Sequence, residues 1–133
     1  MPTEVSSNEE RLETWHRAVF ERDREALMGL LAEDAVFHAP AYFKPREGRE
    51  TVAFILANAI EVFENFTYHR ELTDGDDWAL EFSANIGDVK LKGIDLIRWN
   101  EAGRIVDFEV YVRPAKGLQA LAEAMGARMS GKL

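Results

Sequence analysis

The run from Val89 to Pro114, VKLKGIDLIRWNEAGRIVDFEVYVRP, places the strongest constraint on the fold of this chain. Two stretches rich in β-branched and aromatic residues flank Asn100-Glu101-Ala102-Gly103, so the run predicts two strands joined by a short glycine-containing turn. Alternation puts Val89, Leu91, Gly93, Asp95, Ile97 and Trp99 on one face of the first strand and Lys90, Lys92, Ile94, Leu96 and Arg98 on the other. Asp95 is therefore the one acid on an otherwise apolar face. An ionised carboxylate buried there alone would cost several kcal/mol, so Asp95 must be paired, protonated or beside a wet cavity. It is the leading candidate for function.

The rest of the chain fits around that hairpin. Ser7-Asn8-Glu9-Glu10 carries a capping box, and Leu12, Trp15 and Val19 follow at helical spacing, which predicts a helix over roughly Asn8 to Arg22. Asp23 can cap a second helix with Ala26, Leu27, Leu30 and Leu31 as its stripe, ended by Glu33-Asp34. Ala35 to Ala39 reads as a short strand stopped by Pro40, and the two prolines before Gly48 predict a loop whose Tyr42 and Phe43 are available to line a rim. A third helix follows Gly48, with Val52, Ile55, Leu56, Ala59, Ile60 and Phe63 on one face. Strands are then expected over Phe66–Leu72 and Trp78–Ile86, and a last helix after Pro114. This order predicts an α+β fold, with helices on one face of a mostly antiparallel sheet. One domain is expected over residues 8–128, with residues 1–7 and 129–133 as loose ends.

Charge and composition narrow the function. A net charge of −8 disfavours tracking of nucleic-acid phosphates and binding to anionic membrane surfaces. Cysteine is absent, which excludes disulfides and thiol catalysis. The polar, acidic start has no apolar run of the kind a signal peptide needs, and no stretch is long and apolar enough to span a bilayer. A soluble, cytoplasmic protein is expected. Glycine-rich phosphate loops are missing, and the three histidines, His16, His38 and His69, lack metal-site spacing, so no cofactor and no metal are expected.

The residues LAEDAVFHAP (Leu31–Pro40), GRETV at the start of the third helix, and GIDLIRWNEAGRIVDFEVYVRP resemble the nuclear transport factor 2-like superfamily. Within it the chain is similar to SnoaL-like polyketide cyclases and ketosteroid isomerases, over roughly Glu9 to Pro114. The resemblance implies a cone: a strongly curved, mostly antiparallel sheet, the cystatin-like α+β roll, with helices closing a central pocket, usually in a homodimer that meets through the outer sheet face. It also implies roles for single positions. Asp95 matches the protonated aspartic acid of the isomerases' oxyanion hole. The isomerase base position is Ala39, the oxyanion tyrosine position is Trp15 and the supporting tyrosine of the third helix is Leu56. The catalytic positions of the related limonene epoxide hydrolase fall on Gly93, Asp95 and Val110. Only Asp95 survives in either set.

The expected pocket is lined by Trp15, Phe37, Ala39, Leu56, Trp78, Phe82, Leu91, Asp95, Phe108 and Val110. Such a cavity suits a small hydrophobic molecule with one carbonyl or hydroxyl oriented by Asp95. Trp15 needs a partner for its indole N–H when buried, and a hydrogen bond to Asp95, direct or bridged by ligand or water, would satisfy both. Gly93 marks a bend that could open room beside Asp95. His38 lies between inward-facing Phe37 and Ala39, so alternation turns it outward, and it is the weaker candidate base. If the protein is an enzyme, Asp95 donates to a developing oxyanion, with water, substrate or His38 as base. The alternatives are a non-catalytic carrier or sensor built on the same cone, and a dimeric interaction module whose cone is filled by its own side chains.

Overall fold

The computed structural model describes residues 7–130. Along them run helix α1 (Asn8–Phe20), helix α2 (Arg24–Leu30), strand β1 (Leu31–His38), strand β2 (Arg46–Glu47), helix α3 (Arg49–Val62), strands β3 (Glu64–Asp74), β4 (Asp77–Ile86), β5 (Val89–Trp99) and β6 (Ile105–Arg113), and helix α4 (Ala115–Met129). Residues 1–6 and 131–133 of the two expected loose ends lie outside the described residues, and Met129 is the last residue of α4. No helix among the described residues is long and apolar enough to cross a membrane.

Local chemistry accounts for the helix ends. Ser7 Oγ accepts from the backbone N–H of Glu10 and the Glu10 side chain answers at the backbone N–H of Ser7, so the capping box forms as the sequence requires. α1 stops at Phe20, two residues earlier than expected, because Arg22 turns to φ 54° and the Asp23 N–H is satisfied by the Ala18 carbonyl. Asp23 caps α2 through the Ala26 N–H, also as expected. The second helix, however, ends at Leu30 rather than at Glu33-Asp34. Leu31 takes extended dihedrals and pairs with Ile105, so β1 begins four residues before the expected strand. Helical spacing of leucines lost there to pairing with a strand more than 70 residues away.

The strands form one sheet in the order β2-β1-β6-β5-β4-β3. All neighbours are antiparallel except β1 and β6, which run parallel. The α+β architecture and the mostly antiparallel sheet are as the sequence predicts; β2, which pairs Arg46 with Phe37 and Glu47 with Val36, lies in the segment expected to be loop. Register shifts interrupt β3 between Glu64 and Thr67 and between Tyr68 and Glu71, and interrupt β6 beside Trp99, where Val106 is the extra residue. Bulges of this kind bend strands and increase twist, which is how an open sheet curves around a cavity. The bulge at Val106 lets Ile105 and Phe108 both face the core.

Two apolar clusters result. The larger joins α1, α2, α3 and the sheet around Leu27, Leu31, Val52, Ile97 and Ile105. Trp78 belongs to it, 4.8 Å from the Trp99 ring, with its indole N–H donated to Asn8 Oδ1. The smaller consists of Phe82, Ala84 and Leu91, with Phe63, Phe66 and Val112 packed on it. Gly93 sits opposite Phe82 in the register, and a Cβ there would lie 2.4 Å from both the Phe82 ring and the Tyr111 carbonyl. The absence of a side chain at Gly93 therefore seats the Phe82 ring. It opens no space beside Asp95.

Candidate active site

A cavity of about 910 Å³ opens between the concave face of the sheet and α1, α3 and α4. That volume accommodates a drug-sized molecule. The cone is thus not filled by its own side chains. β1 contributes Phe37 and β6 contributes Phe108 and Val110, because inward positions alternate along each strand. The helices close the other side with Trp15 from α1, Leu56 from α3, and Leu121 and Met125 from α4. Ala39, just past the end of β1, completes the wall.

Asp95 lies at depth in this cavity, only 7% exposed. Its strand neighbours are Leu80 and Val110, so no charge of opposite sign stands directly beside it in the sheet. Its Oδ2 accepts a hydrogen bond of 2.8 Å from the Tyr68 hydroxyl, and the Tyr68 oxygen in turn accepts one of 2.9 Å from Trp15 Nε1. The hydrogen bond expected between Trp15 and Asp95 is therefore replaced by a relay through Tyr68, a residue outside the expected pocket set. Burial drives the Asp95 pKa up to about 7 against the smaller, opposing effect of the Tyr68 hydrogen bond. Burial, followed by the charge of Asp95, holds the Tyr68 phenol protonated well above its ordinary value. Donation thus runs in one direction, from Trp15 to Tyr68 to Asp95.

Tyr68 is itself braced. The His16 ring stacks on it at 5.5 Å, Phe66 meets it edge-on at 4.9 Å, and His16 Nε2 is hydrogen-bonded to Glu71. The sheet order sets β3 two strands from β5, so a tyrosine on β3 can reach across β4 to Asp95. An aromatic at an inward position of a strand was the available signal, but its partner depends on sheet order and bulges that no spacing rule reveals.

Of the ten expected pocket residues, Trp15, Phe37, Ala39, Leu56, Asp95, Phe108 and Val110 line the cavity. Trp78, Phe82 and Leu91 do not. They face the same side of the sheet, but Trp78 is covered by Trp99 and α1, Phe82 by Phe63 and Phe66, and Leu91 by Gly117 of α4. Missing from the expected set are Tyr68 and Phe66 of β3 and the whole contribution of α4. Tyr42 lies at the mouth, whereas Phe43 is fully exposed and does not line it.

His38 faces away from the cavity, as alternation predicts, and its Nε2 lies 3.0 Å from Asp107 Oδ1. It is therefore excluded as a base for a molecule in the cavity. Ligand atoms of His38, Asp107 and Glu109 all lie within 4.8 Å of one another on the outer face. Parallel pairing of β1 with β6 makes that cluster, which sequence spacing could not show. It is half-buried and could hold a cation, but it has no connection to the cavity chemistry.

Comparison with known proteins agrees with this architecture. A family model described as a SnoaL-like domain matches residues 12–108. A steroid delta-isomerase from Pseudomonas aeruginosa is 48% identical, with 97% of this chain and 96% of that chain covered and a TM-score of 0.89. A protein with a cystatin-like fold from Silicibacter pomeroyi is 43% identical, covering 90% of this chain and 86% of that one at a TM-score of 0.84. An NTF2-like protein of unknown function from Cytophaga hutchinsonii shares the fold at 24% identity, covering 87% and 97% of the two chains with a TM-score of 0.65. Comparison with curated proteins finds no match. With the family model spanning most of the domain, and the open cone and its curved sheet in place, the chain belongs to the SnoaL-like domain family.

Proposed function

We propose that the cavity binds a small, largely apolar molecule carrying a carbonyl or hydroxyl oxygen, and that Asp95 moves a proton on it in an isomerase-type reaction. The observation that carries this reading is the division of labour between the two oxygens of Asp95. Oδ2 is held by Tyr68, while Oδ1 has no hydrogen-bond partner among the described residues and the residue lines the cavity. A pKa of about 7 populates both the carboxylate and the acid at neutral pH, which suits a group that takes up a proton and returns it. With His38 outside the cavity and Ala39 at the position of the family's base, Asp95 itself is the available base.

The proton balance is simple. The Asp95 carboxylate removes a proton from a carbon next to a carbonyl, and the electron pair of the broken C–H bond passes into an enolate. Once Asp95 is protonated it no longer demands the Tyr68 hydrogen bond, so the Tyr68 O–H can turn toward the oxygen where charge develops. The proton then returns to the far carbon of the shifted double bond. No oxidant, metal or cofactor enters the sum. The 48% identity to a protein named as a steroid delta-isomerase supports this class of reaction.

A second reading, a non-catalytic carrier, is favoured by one observation: beside Asp95 and Tyr68, no further titratable side chain lines the floor among the described residues. One assay separates the two. A β,γ-unsaturated cyclic ketone is incubated with the protein and appearance of the conjugated enone is followed by absorbance. Turnover that is lost in Asp95→Asn and Asp95→Leu supports proton transfer, whereas unchanged turnover in Asp95→Leu overturns it. Saturable binding of the same ketone without conversion would establish the carrier.

We also infer self-association through the outer face of the sheet. Leu72, Ile94, Leu96 and Tyr111 are exposed there, and the register sets Ile94 directly opposite Tyr111. A second copy of this chain is the partner that would cover them.

A further inference from the structure

Charged side chains at the mouth of the cavity are unequally engaged. Arg22 and Glu61 pair with one another at 3.1 Å. Glu64 is turned to the β4–β5 turn, where its Oε1 accepts from Asn85 Nδ2 and from the Gly87 N–H. Lys44 and Arg46 also line the cavity, and among the described residues the side chain of neither has an ion-pair or hydrogen-bond partner. Arg46 is placed there by the sheet: it stands opposite Phe37 in the antiparallel β1–β2 pair, and directly opposed residues share a face. Phe37 faces the cavity, so Arg46 emerges on the cavity side at its rim.

From this asymmetry we propose that the ligand is an apolar acid: its hydrophobic body fills the cavity, with its carbonyl end beside Asp95 and Tyr68 at depth and an anionic group, a carboxylate, held at the mouth by Lys44 and Arg46. The proposal rests on the cavity reading above and names the chemical class of its occupant. The setting makes the two cations informative. A chain of net charge −8 repels anions as a whole, so two cations at the mouth, unpaired with any anion among the described residues, create a local reversal where a bound ligand would end. The interior offers no cation to a permanently ionised group. Its walls are phenylalanine, isoleucine, leucine and methionine, and its one deep charge is the Asp95 carboxylate, so a second negative group is stable only at the rim.

The test uses the neutral fluorescent probe N-phenyl-1-naphthylamine as reporter of the cavity, with dodecanoate and dodecan-1-ol as matched competitors at low ionic strength. The expected result is that the acid displaces the probe at about tenfold lower concentration than the alcohol, and that added salt narrows the gap. In Lys44→Gln/Arg46→Gln the preference should fall to within about twofold while affinity for the neutral probe is kept, which also shows that the variant is folded. Equal displacement by acid and alcohol in the unaltered protein, or a preference that survives in the double variant, overturns the proposal while leaving the cavity reading standing. Failure of the neutral probe to bind at all overturns the cavity reading and this proposal with it.

Discussion

Tyr68 donates its hydroxyl to Asp95 at 2.8 Å across the width of β4, and the same hydroxyl oxygen receives the indole N–H of Trp15 at 2.9 Å. Three side chains from α1, β3 and β5 thus share two hydrogen bonds inside an apolar wall, and the middle one controls both ends. Removing the phenol oxygen leaves Trp15 Nε1 unpartnered and deprives Asp95 of the bond that lowers its pKa. Tyr68→Phe should therefore move the Asp95 pKa above about 7, and should cost about 1–3 kcal/mol of stability for the orphaned indole. Carboxyl-carbon NMR titration of wild type and variant measures the shift; an unmoved or lowered midpoint would contradict the relay.

Asp95 ties stability to pH with a definite sign. Its folded-state pKa, about 7, lies above the value of about 3.9 in an unfolded chain, so the folded state holds the proton more tightly. The associated stability is fully present below about pH 4 and is lost as pH rises through about 7. Asp95→Asn keeps an oxygen for Tyr68 but cannot ionise. It should exceed wild type in stability by roughly 2–4 kcal/mol above pH 8, with the gap closing toward pH 4. Urea midpoints of the two proteins across that range decide it, because contributions of all other titrating groups cancel in the difference. A gap independent of pH would mean that Asp95 titrates normally.

What could be read from the chain was what depends on near neighbours. The capping box at Ser7, the Asp23 cap, the β5–β6 hairpin and the lone acid at Asp95 follow from spacing and alternation, and the structure places each of them as read. The errors arose where distant pairing decides. Leu31 has helical spacing from Leu27 but joins Ile105; Trp78, Phe82 and Leu91 alternate inward but are roofed by Trp99, Phe66 and Gly117 before the cavity begins. Facing inward does not make a residue line the cavity; the difference is set by what packs above it. Tyr68 is the complementary case: sheet order and a bulge, not spacing, bring it to Asp95.

Gly93 offers a test of packing that is separate from the chemistry. A Cβ would meet the Phe82 ring and the Tyr111 carbonyl at 2.4 Å, and the carbonyl is backbone that cannot rotate away. Gly93→Ala should destabilise by about 1–3 kcal/mol, the range of overpacked cores. Pairing it with Phe82→Leu should recover part of that loss but not all, since the contact with the Tyr111 carbonyl remains. Thermal or urea unfolding of the two single variants and the double variant checks the coupling. Strict additivity would show that the Phe82 ring is not what Gly93 accommodates.

The outer face yields the last prediction. Register across the sheet aligns Leu72, Ala79, Leu96 and Glu109 in one row, and Glu81, Ile94 and Tyr111 in the next. Apolar and charged side chains therefore alternate over a surface on which Leu72 is 63% and Tyr111 51% exposed. A second copy of the chain set on this face would bury its aliphatic and aromatic side chains, while Arg70 and Lys92, already tied to Glu81, stay in the rim. Replacing Ile94 and Leu96 with arginine puts two like charges at the centre of a symmetric interface, where each meets its own copy or its neighbour. Native mass spectrometry of the unaltered protein should give twice the chain mass, and Ile94→Arg/Leu96→Arg the chain mass alone. Both substitutions point outward, so the cavity and its affinity for a neutral probe should be kept; a variant that remains dimeric would place the interface elsewhere.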